Sequence, residues 1–579
     1  MIKALRQYGI FLIIPGIVLV YSLLLKLAAG PYWLAPNFDP AYQYLVNGVY
    51  LVKGLVPNHT DHPGTPLQIL CCVVDHLFNM GCSTGDLVSH VLSAPEFYLH
   101  AVFVILTLLF FVTSIALAVY VYHQTGDRLA ALLTQLPALS FLVLRSWETT
   151  DPILPVVANV FPETLLLSVL NLFNSCLLMN YFAKTSKDRY VSTILWATVG
   201  GLGTAVKLTF VPILAVPLIV LSWKNKVLFA VVVAASFFVW TLPIISKYPQ
   251  VWSWISGLLT HTGTYGSGKA GVIDDPGMYV LKLKSIVLGQ GILSVILMAA
   301  FVLAFWKIVS KRADRGTFYF AVTMGGILFQ FLVVAKHPGA HYLLPGLGLF
   351  GALLVLIYLQ SASRHGWGRR ITFVFILIGT LSGAWQANMY RSKLADLTGD
   401  MIAFHDQNAV KYQNCTFVDY YRSSSQEAAL FFGDGWNLSP HLGQELFRLY
   451  PDKYYYHLWG YRILSFNDRV WANDLLDQDQ CVLFRGDGGF DFSKGPYDLQ
   501  LLEKGRYESV YRLTGTTEKQ AALFLGGAAQ FIQTGEYAKA LMCLLQARKF
   551  HYQPDSSIES LIGLISSENG PGHSEGAGQ

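Results

Sequence analysis

The chain has 579 residues, of which 53% are hydrophobic and 13% charged, with a formal net charge of +5. Soluble globular proteins carry about 25% charged residues, so this composition, with a mean hydropathy of +0.43, excludes a soluble enzyme. The basic residues sit in short clusters between apolar runs, the pattern of membrane topology signals rather than of nucleic-acid contact, and no nucleic-acid partner is expected.

A spanning helix needs roughly 20 mainly apolar residues to cross a hydrocarbon core. Eleven segments qualify: 9–29, 98–122, 129–145, 153–181, 191–206, 208–222, 227–246, 285–307, 317–334, 341–359 and 371–388. The two on either side of Lys207 are short and equally fit one bent helix or a re-entrant pair. Lys3 and Arg6 precede the first run and no small-residue cleavage site follows it, so the first span is retained. With a cytoplasmic N-terminus, Arg128, then Lys184, Lys187 and Arg189, then Lys224 and Lys226, then Lys307, Lys311, Arg312 and Arg315, and finally Arg364, Arg369 and Arg370 all fall on one side. That consistency supports eleven spans and puts the first loop, Lys207, the 247–284 loop, the link KHPGAH (336–341) and the C-terminal region on the opposite face.

The first outer loop, residues 30–97, is too long for a simple connection. Within it, AYQYLVNGVYLVKGL and, after Pro66, LQILCCVVDHLF read as amphipathic helices lying in the interface. Hydropathy drops after Trp385, marking a domain boundary near 389. Residues 390–565 mix short β-like runs such as CTFVDYY and QCVLFRG with helical ones and read as an extracytoplasmic α/β domain; FGDG (432–435) reads as strand and turn. A disulfide between Cys415 and Cys481 is left open. Residues 566–579 have nothing to bury and are expected to be disordered. The fold class is thus a polytopic α-helical membrane protein of about 11 spans, residues 1–389, with a C-terminal extracytoplasmic α/β domain.

The sharpest chemical signal is Asp39, followed by Pro40 just beyond the first span. Two readings fit: an N-cap with proline at the first helical position, or a carboxylate held at fixed depth to deprotonate a hydroxyl. A short N-terminal tail, a first span, an acid at its outer end, a tyrosine-rich interface helix, GLVP and then HPGTPL together resemble the multispanning glycosyltransferases of the GT-C fold, especially the lipid-A aminoarabinose transferase and protein O-mannosyltransferase relatives. Those relatives usually carry an acidic pair, or an acid with a nearby glutamate, and then a Lys/His-Pro-Pro-Leu segment. Here Asp39-Pro40 stands where the second acid would often be, and His62-Pro63-Gly64-Thr65-Pro66-Leu67 replaces the paired prolines. The resemblance covers residues 1–390 as architecture and a much shorter stretch as motif. It implies inverting transfer of a sugar from a polyprenyl phosphate to a hydroxyl of a glycan, lipid or protein acceptor, with Asp39 as base.

A departing lipid phosphate needs positive charge. Lys207, between two apolar runs, is a candidate, and snorkelling at a span end is its plain explanation. Lys336 and His337 are further phosphate-binding candidates, and the resemblance favours Lys336. Candidates for substrate contact are Asp61 and His62, the intramembrane Glu163 of NVFPETLL, His261 and Tyr265 near a glycine-rich segment, and His341. Pairing with Lys207 or Arg145 would also explain Glu163. Asp61, His62 and His59 lack a further ligand for a metal ion, so no resident metal or cofactor is assigned; the polyprenyl phosphate sugar is a donor substrate. A transporter or flippase is the alternative, because interrupted helices also build transport sites, but transport does not require so long a first loop or a large outer domain. The expected setting is a multi-pass membrane, with a bacterial inner membrane favoured because no retention motif ends the chain.

Overall fold

The computed structural model describes residues 7–34, 41–60, 64–143, 156–262, 268–273, 275–361, 366–420, 425–435, 440–457, 462–467, 469–470, 475–476, 481–487, 497–506, 508–514, 517–533, 537–549, 561–563 and 565. They fall into two compact units. Unit one takes Met1–Tyr32, Pro36–Thr398 and Gly433–His441, and unit two takes Trp33–Ala35, Gly399–Phe432 and Leu442–Gln579.

Unit one is a bundle. Among the described residues, eight helical stretches are long and apolar enough to cross a membrane: Gly9–Ala29, Pro95–Thr125, Pro162–Phe182, Trp223–Thr260, Ile292–Val309, Arg315–Val334, Ala340–Gln360 and Gly366–Lys411. The protein is a multi-pass membrane protein. Its outward side chains are those a bilayer solvates: Val231, Val239, Phe301, Val302, Phe305 and Val309 are all exposed, which in water would be a large apolar patch. Three expected spans depart from the simple form. Arg128–Val143 turns from α-helix to 3-10 helix at Leu136, next to Pro137. Ser186–Val206 is a full helix that opens on the polar stretch Ser186–Arg189. After it, Lys207 is extended (φ −160°, ψ 132°) and Leu208–Leu214 is a 3-10 turn containing Pro212. Proline removes a backbone donor and breaks the α ladder there, so the region around Lys207 is a true break between two helical pieces. Gly201 lets Ser186–Val206 lie against Trp223–Thr241, since a Cβ there would come within 2.5 Å of Ser236 Cβ and the Val233 carbonyl; close approach of this kind needs glycine.

The long loop after the first span contains Tyr42–Val52, Thr65–Phe78 and Thr84–Ser93 as helices. The last was not expected as an element. Tyr42–Val52 is buried on every side from Tyr42 to Tyr50, so it is an enclosed helix rather than one floating with a single face in the interface. Thr65–Phe78 does keep an exposed apolar face at Val73, Leu77 and Phe78.

Side-chain contacts define one end of the bundle. Tyr8 Oη meets His123 Nε2 at 3.2 Å. The Asp127 carboxylate accepts from Tyr358 Oη at 2.8 Å and pairs with Arg369 at 3.5 Å. Lys307 Nζ donates to Gln360 Oε1, Gln360 packs on Gly316, and Arg315 Nη2 donates to the Asn180 carbonyl at 2.8 Å. The helix ends that carry Arg128, Lys184, Lys187, Arg189, Lys307, Arg315 and Arg369 are therefore brought to one face. Helix direction then puts Ala29, Glu96 and Glu163 at the other.

Unit two holds a seven-stranded sheet in the order β4-β3-β2-β1-β5-β7-β6. β1 (Thr416–Tyr420) is parallel to β2 (Tyr454–His457) and to β5 (Val482–Asp487). β3 (Arg462–Leu464), β4 (Arg469–Val470), β6 (Leu499–Lys504) and β7 (Glu508–Leu513) join antiparallel. The parallel step from β1 to β2 requires a crossover, and the segment containing FGDG supplies it as the helix Gln426–Gly435. The strand-and-turn reading of FGDG is thereby corrected: Ser425 Oγ accepts from Ala428 N at 3.0 Å and starts a helix. Asp434, at its end, belongs to unit one and accepts from Tyr50 Oη at 2.6 Å. Cys415 and Cys481 form a disulfide at the starts of β1 and β5.

Under this sheet Arg485 Nε donates to Asp419 Oδ1 at 3.0 Å, and Glu508 Oε1 lies 3.8 Å away. With Arg485 committed to Asp419, burial pushes the Glu508 carboxyl up to about 8, and Asp419 adds to the shift. The folded protein therefore holds this proton where the unfolded chain, at 4.5, has lost it. The associated stability is complete below pH 4.5 and lost as pH rises through about 8. Amide exchange at Leu483–Gly486 and Ser509–Arg512, corrected for intrinsic rates, should lose protection over that interval in wild type. Glu508→Gln should flatten the profile; an identical pH profile in the variant would contradict the assignment.

Candidate functional site

The end of unit one opposite the basic face carries two polar clusters, each built where helices stop. The first stands on Glu96, in the first turn of Pro95–Thr125, where the positive end of the helix dipole favours a carboxylate. Tyr32 N donates to both of its oxygens, at 2.9 and 3.1 Å, and Tyr42 Oη donates to Oε1 at 2.7 Å. Lys26 Nζ donates to the Gly30 carbonyl at 2.6 Å and lies 3.2 Å from the Tyr32 ring centroid. One carboxylate thus holds both ends of the stretch between Tyr32 and Tyr42, which contains Asp39. Asp39 itself lies outside the described residues, as do Asp61, His62 and Tyr265.

The second cluster joins three breaks in the bundle. Glu163 sits in the first turn of Pro162–Phe182, and Lys207 at the helix break; they form an ion pair in which the side chains are 6% and 8% exposed. His341 Nε2 lies 3.9 Å from the same Glu163 oxygen, with its ring 43% exposed. Tyr342 presents its ring 5.2 Å from Lys207 Nζ. Gln330 Nε2 donates to the carbonyls of Thr209, at 3.0 Å, and Tyr342, at 2.7 Å, tying the two broken segments together. Of the sequence candidates, Lys207, Glu163 and His341 therefore come together. Glu163 takes its pairing partner from the two that were open, Lys207. Chemically the cluster is an ammonium positioned by a carboxylate, beside an imidazole that reaches solvent.

Lys336, His337 and His261 gather around the C-terminus of Tyr248–Thr260. Lys336 Nζ donates to the carbonyls of Leu258 and Leu259 at 2.5 and 3.0 Å, as cations do at helix C-termini. Burial, and then the Lys336 charge, hold His337 below the ordinary histidine range while it bonds the Leu258 backbone. His261 Nδ1 lies 2.9 Å from Thr260 Oγ1, and its backbone bridges Ala270 antiparallel. Next to it, Thr262 N donates to the Lys269 carbonyl at 2.9 Å.

Sequence reasoning missed Glu96, Tyr32, Tyr42, Gln330 and Tyr342. Glu96 was readable in principle, as an acid directly after proline at the start of a span, but that pattern is also an ordinary helix opening. Among the described residues, no group of three or more His, Cys, Asp or Glu is placed to hold a metal ion.

No family model matches the chain and no curated protein matches it. Among solved structures it is similar to ArnT from Cupriavidus metallidurans in the apo state, with a TM-score of 0.48 and 12% identity over 86% of this chain and 97% of that one. It is also similar to the same protein bound to undecaprenyl phosphate, with a TM-score of 0.46 and 11% identity over 88% of this chain and 98% of that one. At this identity no residue role transfers, and each role must rest on the geometry and chemistry of this chain.

Bonds to a charged acceptor are worth about 1.5–3 kcal/mol each. Glu96→Gln should therefore speed amide exchange at Tyr42–Leu45 by tenfold or more in the full chain, while exchange in the span Pro162–Phe182 stays unchanged. Unaltered exchange at Tyr42–Leu45 would mean that the carboxylate does not hold the segment.

Proposed function

We propose that this protein is an inverting membrane glycosyltransferase that moves a sugar from a polyprenyl phosphate donor to a hydroxyl of a glycan, lipid or protein acceptor. The observation that carries the reading is the buried Lys207–Glu163 pair at the same end of the bundle as the Glu96-tethered segment containing Asp39. A lipid-linked donor must leave its isoprenoid tail in hydrocarbon and bring its phosphate and sugar to the aqueous edge. A fixed ammonium at a span end meets that requirement.

In this reading Asp39 takes the acceptor proton as the hydroxyl oxygen attacks the anomeric carbon. The bond from that carbon to the phosphate oxygen breaks, and the lipid phosphate leaves with the electron pair. Lys207 offsets the charge that develops on it. Glu163 fixes Lys207 in place, and His341 stands at the solvent side of the pair. Lys336 braces the carbonyl end of Tyr248–Thr260, and His337 contributes a hydrogen-bonding group beside it. Asp61, His62, His261 and Tyr265 remain candidates for substrate contact. No resident cofactor is part of this chemistry.

Orientation follows from two features. The basic face is expected in the cytoplasm, which puts the N-terminus there and the proposed site outside. The Cys415–Cys481 disulfide suits an oxidising compartment for the C-terminal domain, since disulfides are rare in the cytosol. A bacterial inner membrane, with the periplasm outside, meets both conditions.

Purified protein incubated with a panel of labelled polyprenyl phosphate sugars tests the reading. With a panel of hydroxyl acceptors also present, wild type should transfer sugar to an acceptor and release the lipid phosphate, and Asp39→Asn should fold, bind donor and lose about 10²-fold or more in rate, the usual worth of positioned proton transfer. Full activity in Asp39→Asn would reduce Asp39 to a helix cap. Movement of the donor across proteoliposomes without transfer would replace the reading with a flippase.

A further inference from the structure

The basic end of unit one contains a cleft of about 560 Å³ between the end of Pro162–Phe182, the start of Ser186–Val206 and the start of Arg315–Val334. It is lined by Tyr181 and Phe182 and by Lys184, Arg189 and Arg315, with Asp314 beside them. Basic residues at this end serve topology, but topology asks only for charge in the loop. It does not ask for convergence on a cavity.

Two acids lie nearby, and both direct their carboxylates at helix caps while keeping their charge. Asp188 closes a capping box, accepting from Thr185 N at 3.1 Å. Asp314 closes another, accepting from Thr317 N at 2.8 Å and Thr317 Oγ1 at 2.7 Å. Among the described residues, no ion pair involves Lys184, Arg189 or Arg315. Arg315 is nevertheless held in place. Its Nη2 donates to the Asn180 carbonyl at 2.8 Å and to Tyr319 Oη at 3.3 Å. Behind it, Tyr319 Oη donates to Asn180 Oδ1 at 2.7 Å and Asn180 Nδ2 to Ser192 Oγ at 2.9 Å. Asn180, Ser192 and Tyr319 are all buried, so the guanidinium is presented by a fixed wall.

We infer that this cleft binds the phosphate of an anionic membrane lipid, with Lys184, Arg189 and Arg315 on the headgroup and Tyr181 and Phe182 against its glycerol and upper acyl region. Basic pockets between spanning helices suit such headgroups, and guanidinium matches phosphate with paired donors. The cleft is far larger than a free phosphate ion requires, and it opens where two spans end, at headgroup depth. The site is separate from the proposed transfer site at the opposite end and does not depend on that reading.

Native mass spectrometry of the full chain in neutral detergent, titrated with phosphatidylglycerol or phosphatidylcholine, tests the assignment. Wild type should retain one phosphatidylglycerol in preference to phosphatidylcholine. Each cation near a membrane surface contributes about fivefold, so Lys184→Gln/Arg189→Gln, which leaves the Arg315 wall intact, should weaken that binding roughly 25-fold. Lys224→Gln/Lys226→Gln, a basic pair outside the cleft, should leave it unchanged. Arg315→Gln should weaken it as well, but the double variant decides the matter if Arg315→Gln does not fold. Equal loss in the Lys224/Lys226 control would reduce the effect to general surface charge and overturn the site. Inorganic phosphate binding wild type as tightly as the lipid would overturn the headgroup assignment in favour of a free phosphate site.

Discussion

The buried pair of Glu163 and Lys207 is the constraint on which the end of the bundle opposite the basic face depends. Removing two charges from water costs several kcal/mol per ion, and their attraction rarely returns more than that. An apolar pair of equal volume would serve packing as well. What the ion pair adds is position: it joins the first turn of one helix to the extended break after another, and His341 and Tyr342 of a third segment close on it. Losing either partner alone would strand a buried charge, at about 3–5 kcal/mol. The two partners therefore depend on each other, and the pair fixes geometry at the break rather than adding net stability.

Glu96 does for the loop after the first span what Glu163 does for the later spans. Both sit in the first turn of a spanning helix, where the helix dipole supports the carboxylate, and both reach backbone or side chains far away in sequence. Tyr32 and Tyr42 are fully buried, so the segment between them is fixed at its ends whatever its interior does. The enclosed helix Tyr42–Val52 adds a third restraint, with Gly48 within contact of Cys71.

Hydropathy made the spans legible because bilayer crossing imposes one long apolar run per helix, and clustered cations made the common face legible because parity fixes which loops share a side. The break at Lys207 was visible too, as two short runs around one charge. The partner of that charge was one of two open alternatives, since pairing across 44 residues leaves no periodic signature. Glu96 was missed for the same reason: its bonds to Tyr32 and Tyr42 cross from a helix start to a loop. The tyrosine-rich helix was read as half-exposed because its composition is amphipathic, but its polar side chains Gln43 and Asn47 are buried with the rest. FGDG misled because glycines usually punctuate strands, whereas here the parallel order of β1 and β2 demanded a helix. Asp39, Asp61, His62 and Tyr265 were legible only as chemistry, since they lie outside the described residues.

In the proposed function, Lys207 serves a phosphate and Glu163 holds it in place. A double-mutant cycle on binding of sugar-free polyprenyl phosphate to the full chain, with Lys207→Met, Glu163→Gln and the two combined, separates service from packing. If the account holds, Glu163→Gln keeps measurable binding, while Lys207→Met and the double variant lose it together even where the double variant recovers wild-type stability. Recovery of wild-type phosphate binding in the double variant would show the pair to be structural alone and would contradict the placement of the donor site.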